Sequence, residues 1–158
     1  CVCTAVSPST DVGYCDMACT STPCFEMRVG PDSLQCAAGH CNLGLDCDAS
    51  KVTCYDPRPD CQQPGLVPTV EASCWTGLCV DASDCAFVPS CAECDPARHV
   101  CVVLDDGTQP VHHCVEVPAA CAEDRTCGCL GMNVCVSPFD ECLDAGTENT
   151  IRCGCPTC

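Results

Sequence analysis

The clearest alternation of apolar and polar positions lies in residues 99–117, HVCVVLDDGTQPVHHCVEV. Two valine-rich runs flank the turn-forming residues DDGT, a pattern typical of antiparallel strands joined by a short loop. If Leu104 lies opposite Val111, then Cys101 lies opposite Cys114. Facing cysteines on antiparallel strands can come close enough to bridge, so we expect Cys101 and Cys114 as candidates for a structural disulfide.

The remaining apolar runs are short. We expect further strands at residues 52–55, 69–73 and 133–136, and one helical turn within CAECDPARHVC, residues 91–101. No apolar pattern with a 3.6-residue period reaches the length of a helix. Thirteen prolines and eleven glycines are spread along the chain and leave little room for long helices. The pattern predicts a small fold of loops and short β-hairpins with little helix.

A cysteine frame occurs twice, as CAAGHCNLGLDC from Cys36 and CWTGLCVDASDC from Cys74, 38 positions apart. Both copies have the form C-x-x-G-x-C-x-x-x-x-D-C. The motif C-D-x-x-[K/R]-x-x-C follows in both, directly from Cys47 in the first copy and from Cys94, after an extra C-x-x-C, in the second. Little else is shared, so the frame specifies disulfide geometry and a tight turn at its glycine rather than a ligand site. The repeat-frame cysteines are Cys36, Cys41, Cys47 and Cys54 in the first copy, and Cys74, Cys79, Cys85, Cys94 and Cys101 in the second.

This repetition divides the chain into four cysteine-rich modules that we expect to be cross-linked in series. They span residues 1–33, 34–68, 69–113 and 114–158, and the two inner modules carry the frame. The segments RVGPDS and QQPGLVP contain proline and glycine, which mark joints. The hairpin predicted in residues 99–117 crosses the last boundary, so the sequence does not fix the exact position of that boundary.

Composition explains why a chain would be built this way. It has 25 cysteines in 158 residues, and Leu, Ile, Val and Phe together contribute 29. The formal net charge is −16. A low content of apolar residues and a high net charge are typical of chains that cannot bury enough apolar surface to fold. Disulfides must therefore supply the stability. Disulfides at this density form in oxidising compartments, which predicts an extracellular or cell-surface location.

The acidic balance argues against nucleic acid or anionic membranes as partners, because both repel negative charge. Lys51 and five arginines are scattered singly and form no basic patch. The apolar stretches fall short of the roughly 18 residues that a membrane helix needs. An odd number of cysteines leaves at least one unpaired within the chain, which predicts a bridge to another chain. A lipid anchor on Cys1 is the alternative to this interchain bridge. We favour the interpretation that Cys1 is the first residue of a mature or trimmed chain without lipid.

Metal sites are a second use for cysteine-rich chains. The pairs Cys91/Cys94 and Cys155/Cys158 have C-x-x-C spacing, but they lie too far apart for a zinc ribbon, and disulfides are favoured in an oxidising compartment. His112 and His113 would point to opposite faces of a strand, so we expect all four histidines at the surface. No cofactor is predicted.

Calcium stays open as an alternative, because it prefers clustered carboxylates. Local clusters occur at Asp81/Asp84, Asp105/Asp106 and Asp140/Glu141/Asp144, yet none matches an EF-hand loop. Solvated acidic loops are the favoured interpretation.

Catalysis is not expected. Neither G-x-S-x-G nor H-E-x-x-H occurs, and small cross-linked modules rarely form a deep cleft. The segment YDPRPDC could present Arg58 on a rigid loop, as small protease inhibitors do. However, Pro59 follows directly and has no backbone N–H, so a rigid turn is the favoured role.

The repeated frame resembles small cysteine-rich repeats of secreted and surface proteins, in the broad company of EGF-like and Dickkopf-type modules. CGCLGMNVC, residues 127–135, is similar to a shortened C-x-C…G…C ending of an EGF module. The resemblance covers about residues 36–61 and 74–142, and it assigns no functional residue. It implies a stalk, matrix or recognition role. We therefore expect an extracellular structural protein that self-associates, such as a fibre subunit or surface scaffold. A secreted binding module, such as a protease inhibitor or receptor ligand, is the alternative.

Overall fold

The computed structural model describes residue 29, residues 33–156 and residue 158. These contain eight strands and one α-helix, which we label in chain order. The strands are β1 (Gln35–Ala37), β2 (His40–Asn42), β3 (Leu66–Glu71), β4 (Cys74–Asp81), β5 (His99–Asp105), β6 (Val111–Glu116), β7 (Glu141–Asp144) and β8 (Thr150–Gly154). The helix α1 is Cys127–Val134. The predicted class, a disulfide-rich fold of strands and loops with little helix, is confirmed.

Three small sheets organise the described chain. β1 with β2 and β3 with β4 are antiparallel pairs, and a four-stranded sheet has the order β6-β5-β8-β7. The predicted hairpin of residues 99–117 is confirmed as β5 and β6, with Leu104 opposite Val111 and Cys101 opposite Cys114. β8 joins the other side of β5 in parallel.

The helix was missed because its sequence, CGCLGMNV, has the apolar content of a short strand. Thr126 caps it, since its hydroxyl accepts the backbone N–H of Gly128 at 3.3 Å. Leu130 and Val134, four residues apart, are buried on one side of the helix. The predicted strand at residues 133–136 is therefore wrong, because packing of this apolar stripe on the sheet outweighs local preference.

Two other predicted strands have different outcomes. Residues 52–55 form no strand, although valine and threonine favour one, because they pair with no neighbouring strand and lead into the disulfide of Cys54. The strand expected at residues 69–73 is present as β3, but Ala72 and Ser73 turn the chain with φ of 48° and 63°. The helical turn expected after Cys91 is confirmed as a 3₁₀ turn over Cys91–Glu93.

The four-stranded sheet carries a core on each face. Side chains of a strand alternate between faces, so Val100 and Val102 lie on one face while Cys101 and Val103 lie on the other. α1 and Ala38 pack on the first face. The second core combines valines with five disulfide cysteines, Cys47, Cys85, Cys94, Cys101 and Cys114.

The disulfides join the predicted modules to one another. Residues 68 and 69 both lie within β3, and residues 113 and 114 both lie within β6. Three bridges connect segment 34–68 to segment 69–113, namely Cys47–Cys85, Cys54–Cys74 and Cys61–Cys79. Strand pairing thus brings together cysteines from both sides of a predicted module boundary.

All 20 cysteines of the described chain are paired, in ten disulfides. The chain has 25, so an odd number remains. Five cysteines lie outside the described residues, namely Cys1, Cys3, Cys15, Cys19 and Cys24. The predicted unpaired cysteine is therefore among these five, and the predicted lipid site, Cys1, is one of them. In the described part, no helix has the length and apolar character needed to span a membrane.

Candidate functional site

Cys101 and Cys114 face each other as predicted, but the predicted bridge between them is wrong. Cys101 bonds to Cys91 and Cys114 bonds to Cys94, with Cα separations of 5.4 and 5.3 Å. The 3₁₀ turn Cys91–Glu93 packs on this face of the sheet, so that Cys91 reaches β5 and Cys94, which follows the turn, reaches β6. The two cysteines of the C-x-x-C pair therefore form two disulfides that attach the turn to the β5–β6 hairpin.

The two copies of the cysteine frame fold differently. In the first copy, Cys36 and Cys41 lie opposite each other in the β1–β2 hairpin and bridge directly. In the second, Cys74 and Cys79 lie on the single strand β4 and bond to cysteines of the preceding loop, Cys54 and Cys61. The frame therefore repeats in sequence without repeating a fold.

What the copies do share is backbone conformation at the glycine. Gly39 and Gly77 have φ of 73° and 81°, in the left-handed region that favours glycine. Gly39 turns the hairpin against α1, where an added Cβ would lie 1.5 Å from the carbonyl oxygen of Asn133. Gly77 lies at the bulge of β4, where an added Cβ would meet nothing within 4 Å.

Asp81 is the centre of a polar cluster between β4 and β5. Its carboxylate accepts hydrogen bonds from His99 Nε2 at 3.1 Å, from Arg98 Nη2 at 2.7 Å and from Ser83 N and Oγ at 3.0 and 2.8 Å. Burial raises the pKa of Asp81, but these donors, His99 first among them, outweigh burial and hold the pKa well below its usual range.

An aspartate–histidine pair is a familiar element of catalytic sites, but this one is closed to substrate. His99 is 1% exposed, and its Nδ1 accepts the backbone N–H of Asp95 at 3.2 Å. Both ring nitrogens are therefore occupied, which leaves none to take a proton from a bound molecule. The pair serves to connect β4, β5 and the loop before β5.

The histidines do not all lie at the surface as predicted. His99 and His113 are buried, at 1% and 5% exposure, whereas His40 and His112 are partly buried. Burial, followed by the charges of His40 and His112, lowers the pKa of His113 to about 4. Sequence reasoning missed this burial because the residues next to a histidine in the sequence do not reveal which sheet face is covered.

The acidic clusters proposed for calcium are mostly occupied by the protein's own donors. Burial, and then the charge of Asp81, raises the pKa of Asp84 to about 6, so this pair does not carry two free charges at acidic pH. Asp105 accepts from Arg152 and Gly107 N, and Asp106 accepts from Thr108. Across the described chain, no three His, Cys, Asp or Glu side chains are arranged to hold a metal ion.

An open groove of about 890 Å³ lies between the loop before α1 and the loop that joins β7 to β8. Three carboxylate residues line it, Glu123, Asp144 and Glu148. Asp144 accepts the first N–H of α1 at 2.9 Å, while the carboxylates of Glu123 and Glu148 bind no described residue. A smaller cavity of about 350 Å³ adjoins the groove at Pro96 and Thr150.

Arg125 forms the wall between this groove and β5. Its guanidinium donates to three carbonyl oxygens and one amide oxygen at 2.6 to 3.3 Å, those of Pro96, Ala97, His99 and Asn149. These four acceptors are uncharged, so they bind the N–H groups of Arg125 without neutralising its positive charge. Arg125 and three carboxylate residues therefore line the groove. No motif in the sequence indicated that these residues lie together.

The loop that carries Arg58 is fixed at both ends, because Cys54 and Cys61 are bonded to β4. The Arg58 guanidinium lies 3.3 Å from the Glu93 carboxylate and 6.0 Å from the ring centroid of Trp75. This agrees with a rigid turn, since the side chain is held by the protein itself. Tyr55 at the start of the loop is fully exposed.

No family model, curated protein or solved structure matches this chain. The resemblance of the cysteine frame to EGF-like and Dickkopf-type repeats therefore stays a prediction.

Proposed function

We propose that this chain is an extracellular structural protein that joins other copies of itself through disulfide bonds, as a fibre subunit or surface scaffold. The observation that carries the proposal is the pairing of all 20 described cysteines, which leaves an odd number among the preceding residues. A compact disulfide-stabilised domain with an unpaired cysteine outside it is suited to covalent assembly. The density of disulfides supports the extracellular location.

We further propose that the protein is not an enzyme. Within residues 33–156, every cysteine is in a disulfide and so offers no thiolate nucleophile. The Asp81–His99 pair has no free ring nitrogen, as described above. These two observations support the proposal, because they leave neither the described cysteines nor His99 free to act as nucleophile or base.

Electrophoresis of the oxidised protein with and without reductant tests the proposal. We expect a ladder of covalent multimers that collapses to monomer after reduction. A peptide map should place the interchain bridge in residues 1–28. A variant with serine at the five cysteines of that segment should run as a monomer, whereas a Cys155→Ser/Cys158→Ser variant should keep the ladder.

A sharp monomer without reductant, with one free thiol per chain, would contradict covalent assembly. So would an interchain bridge that maps to Cys155 or Cys158, because the described pairing would then be wrong there.

A second candidate function is a secreted binding module, which the 890 Å³ groove favours. Its size falls within the range of ligand sites, and its two unpaired carboxylates suit a cationic ligand. A hexalysine peptide is a suitable probe for calorimetric titration at low and high salt. Binding should be lost in Glu123→Gln/Glu148→Gln and kept in Asp56→Asn/Asp60→Asn, which changes net charge equally. Equal losses in both variants would indicate attraction to overall charge and no site.

A protease panel tests the inhibitor form of this second function. Because Arg58 is bound to Glu93 and followed by Pro59, we expect no inhibition of trypsin-like enzymes. Inhibition that disappears in Arg58→Ala would overturn the assignment of this loop as a structural turn.

A further inference from the structure

The disulfide Cys155–Cys158, in the sequence CPTC, lies at the surface of the fold, and we refer to it as the CPTC bridge. Its cysteines are three positions apart, the shortest separation among the ten described disulfides. Cys158 is exposed and Cys155 is partly exposed, and neither belongs to the two apolar cores. A thiol in solution can therefore reach this bridge.

The fold holds the cysteines of the CPTC bridge less firmly than those of the cores. Cys135 and Cys153 are both buried, so packing keeps their sulfurs together and their bond re-forms readily after a break. Past the end of β8, the N–H of Cys155 donates to the carbonyl oxygen of Asp105 at 3.2 Å. Cys158, three residues further on, lies in no strand or helix. We therefore expect the CPTC bridge to be the described disulfide that exchanges most readily.

Two other bridges with an exposed cysteine show why exposure alone is not sufficient. Cys36 is exposed, but it lies directly opposite Cys41 in the β1–β2 hairpin, with a Cα separation of 4.1 Å. Strand pairing keeps these two cysteines together when their bond is open. In the Cys61–Cys79 bridge, Cys79 is exposed, but a second disulfide also attaches the same loop to β4. The CPTC bridge shares their exposure and lies outside any strand pair.

We propose that the CPTC bridge is a site of thiol–disulfide exchange with small, positively charged thiols, which opens while the described domain stays folded. The attacking thiolate forms a bond to Sγ of Cys158, the bond between the two cysteine sulfurs breaks, and Cys155 leaves with the electron pair as a thiolate. One disulfide is broken and one is formed, so no oxidant is needed. A second thiol that attacks the mixed disulfide releases the Cys158 thiolate and forms a disulfide with the first thiol.

The charge beside the bridge favours a positively charged thiol. Glu141 on β7 pairs with Gly154, the residue before Cys155, and its Oε2 would lie 3.3 Å from a Cβ at that glycine. Within the described chain, no cation pairs with Glu141, whereas Asp105 is neutralised by Arg152. The whole chain has a formal net charge of −16. A cationic thiol is therefore concentrated at the bridge and an anionic thiol is repelled.

The same charge separates this site from the interchain bridge proposed for residues 1–28. A second copy of the chain brings a formal net charge of −16 to a surface that is already negative. Its approach is therefore disfavoured, most strongly at low salt. Mixed disulfides at the CPTC bridge are thus expected with small thiols, and covalent multimers are expected to use other cysteines.

Graded exchange followed by alkylation tests the site. Free thiols of the oxidised full chain are blocked with iodoacetamide, cysteamine is added at increasing concentration at pH 7.5, and the reaction is stopped with acid. N-ethylmaleimide then labels the newly opened cysteines for peptide mapping. We expect Cys155 and Cys158 to carry label or cysteamine at a concentration about tenfold below that which opens any other described bridge. Circular dichroism should be unchanged at that concentration, and Cys36–Cys41 is the internal control with a short loop.

A comparison of cysteamine with 3-mercaptopropionate tests the preference for positive charge. After correction for thiolate concentration, we expect cysteamine to open the CPTC bridge about tenfold faster at low salt, and high salt should remove the difference. Glu141→Gln should reduce the ratio of the two rates. Asp56→Asn, which changes the net charge equally in another loop, should leave the ratio almost unchanged. The ratio cancels any effect of Glu141 on the leaving thiolate, because both reactions release Cys155.

Three results would overturn the proposal. These are the opening of another described bridge at the same cysteamine concentration, a loss of circular dichroism in step with the opening of CPTC, and equal rates for the two thiols at low salt. The electrophoretic ladder expected from covalent assembly is recorded before any thiol is added. A chain that forms no ladder therefore leaves this test of the CPTC bridge intact.

Discussion

Cys47 and Cys85 are bonded to each other across 38 residues, the same interval that separates the two copies of the cysteine frame. They are the third cysteines of their respective copies. Beside the bridge, Leu45 pairs with Cys85, donating its N–H to Asp84 O and accepting from Ala86 N at 2.8 Å. The two copies are thus halves of one cross-linked unit.

This bridge should matter more to stability than a local one. The chain-entropy model gives about 4 kcal/mol for a 38-residue loop and about 1.5 kcal/mol for the three-residue Cys155–Cys158 loop. We expect Cys47→Ala/Cys85→Ala to lower the Tm by about 10 °C and Cys155→Ala/Cys158→Ala by a few degrees. Calorimetry without reductant measures both. Equal losses would show that loop closure is not the source of the stability.

Reduction should unfold the whole described domain. Five of the nine buried residues of the second core are cysteines, so the apolar remainder is small. We expect dithiothreitol at pH 8 to abolish the native circular dichroism and the resistance to proteolysis. Alkylated, reduced protein that kept both properties would contradict a fold that depends on disulfides.

The two frame glycines offer a matched pair of substitutions. Gly39→Ala adds a Cβ 1.5 Å from the Asn133 carbonyl oxygen, at a φ of 73°. It should prevent the hairpin from docking and leave its amides unprotected from hydrogen exchange. Gly77→Ala meets only the left-handed penalty of about 1–2 kcal/mol and should lower the Tm by a few degrees. Similar effects would mean that the Gly39 turn is not pressed against α1.

The raised pKa of Asp84 predicts that replacing this residue changes the stability of the fold in a way that depends on pH. Its pKa is raised from the ordinary 3.8 to about 6, so the fold favours the protonated acid. That stabilisation is complete below pH 3.8 and is lost as the pH rises through about 6. Asp84→Asn should raise the free energy of unfolding at pH 7.5 by about 1 kcal/mol, after allowance for solvent screening of a half-buried group. Urea denaturation at pH 7.5 and 3.5 should show the gain only at the higher pH.

Arg125, in the loop before α1, should contribute more to stability than Arg152 on β8. Arg125→Ala leaves the carbonyl oxygens of Pro96 and Ala97 without their side-chain donor, which should cost about 2 kcal/mol. The His99 carbonyl oxygen keeps Asn149 Nδ2 as a donor. Arg152→Ala removes an exposed ion pair with Asp105 and should leave the Tm almost unchanged. Thermal denaturation compares the two variants. A larger loss in Arg152→Ala would reverse the assignment.

The sequence determined the parts of the fold that depend on local pattern. Alternating valines around DDGT specified the β5–β6 hairpin and its register, because a shift of one residue would expose the buried face. The glycine of each frame specified a left-handed turn, since other residues pay a penalty there. Cysteine content specified the disulfide-rich class, because so few apolar residues cannot stabilise a chain of this length.

Only the tertiary structure decided which cysteines bond and which polar groups meet. Cys101 and Cys114 face each other but bond to Cys91 and Cys94, because a 3₁₀ turn packs over their strands. The frame alone could not distinguish the direct bridge Cys36–Cys41 from the bridge between copies. The groove at Arg125 likewise arises from segments far apart in sequence, and local pattern has no means of encoding their distance.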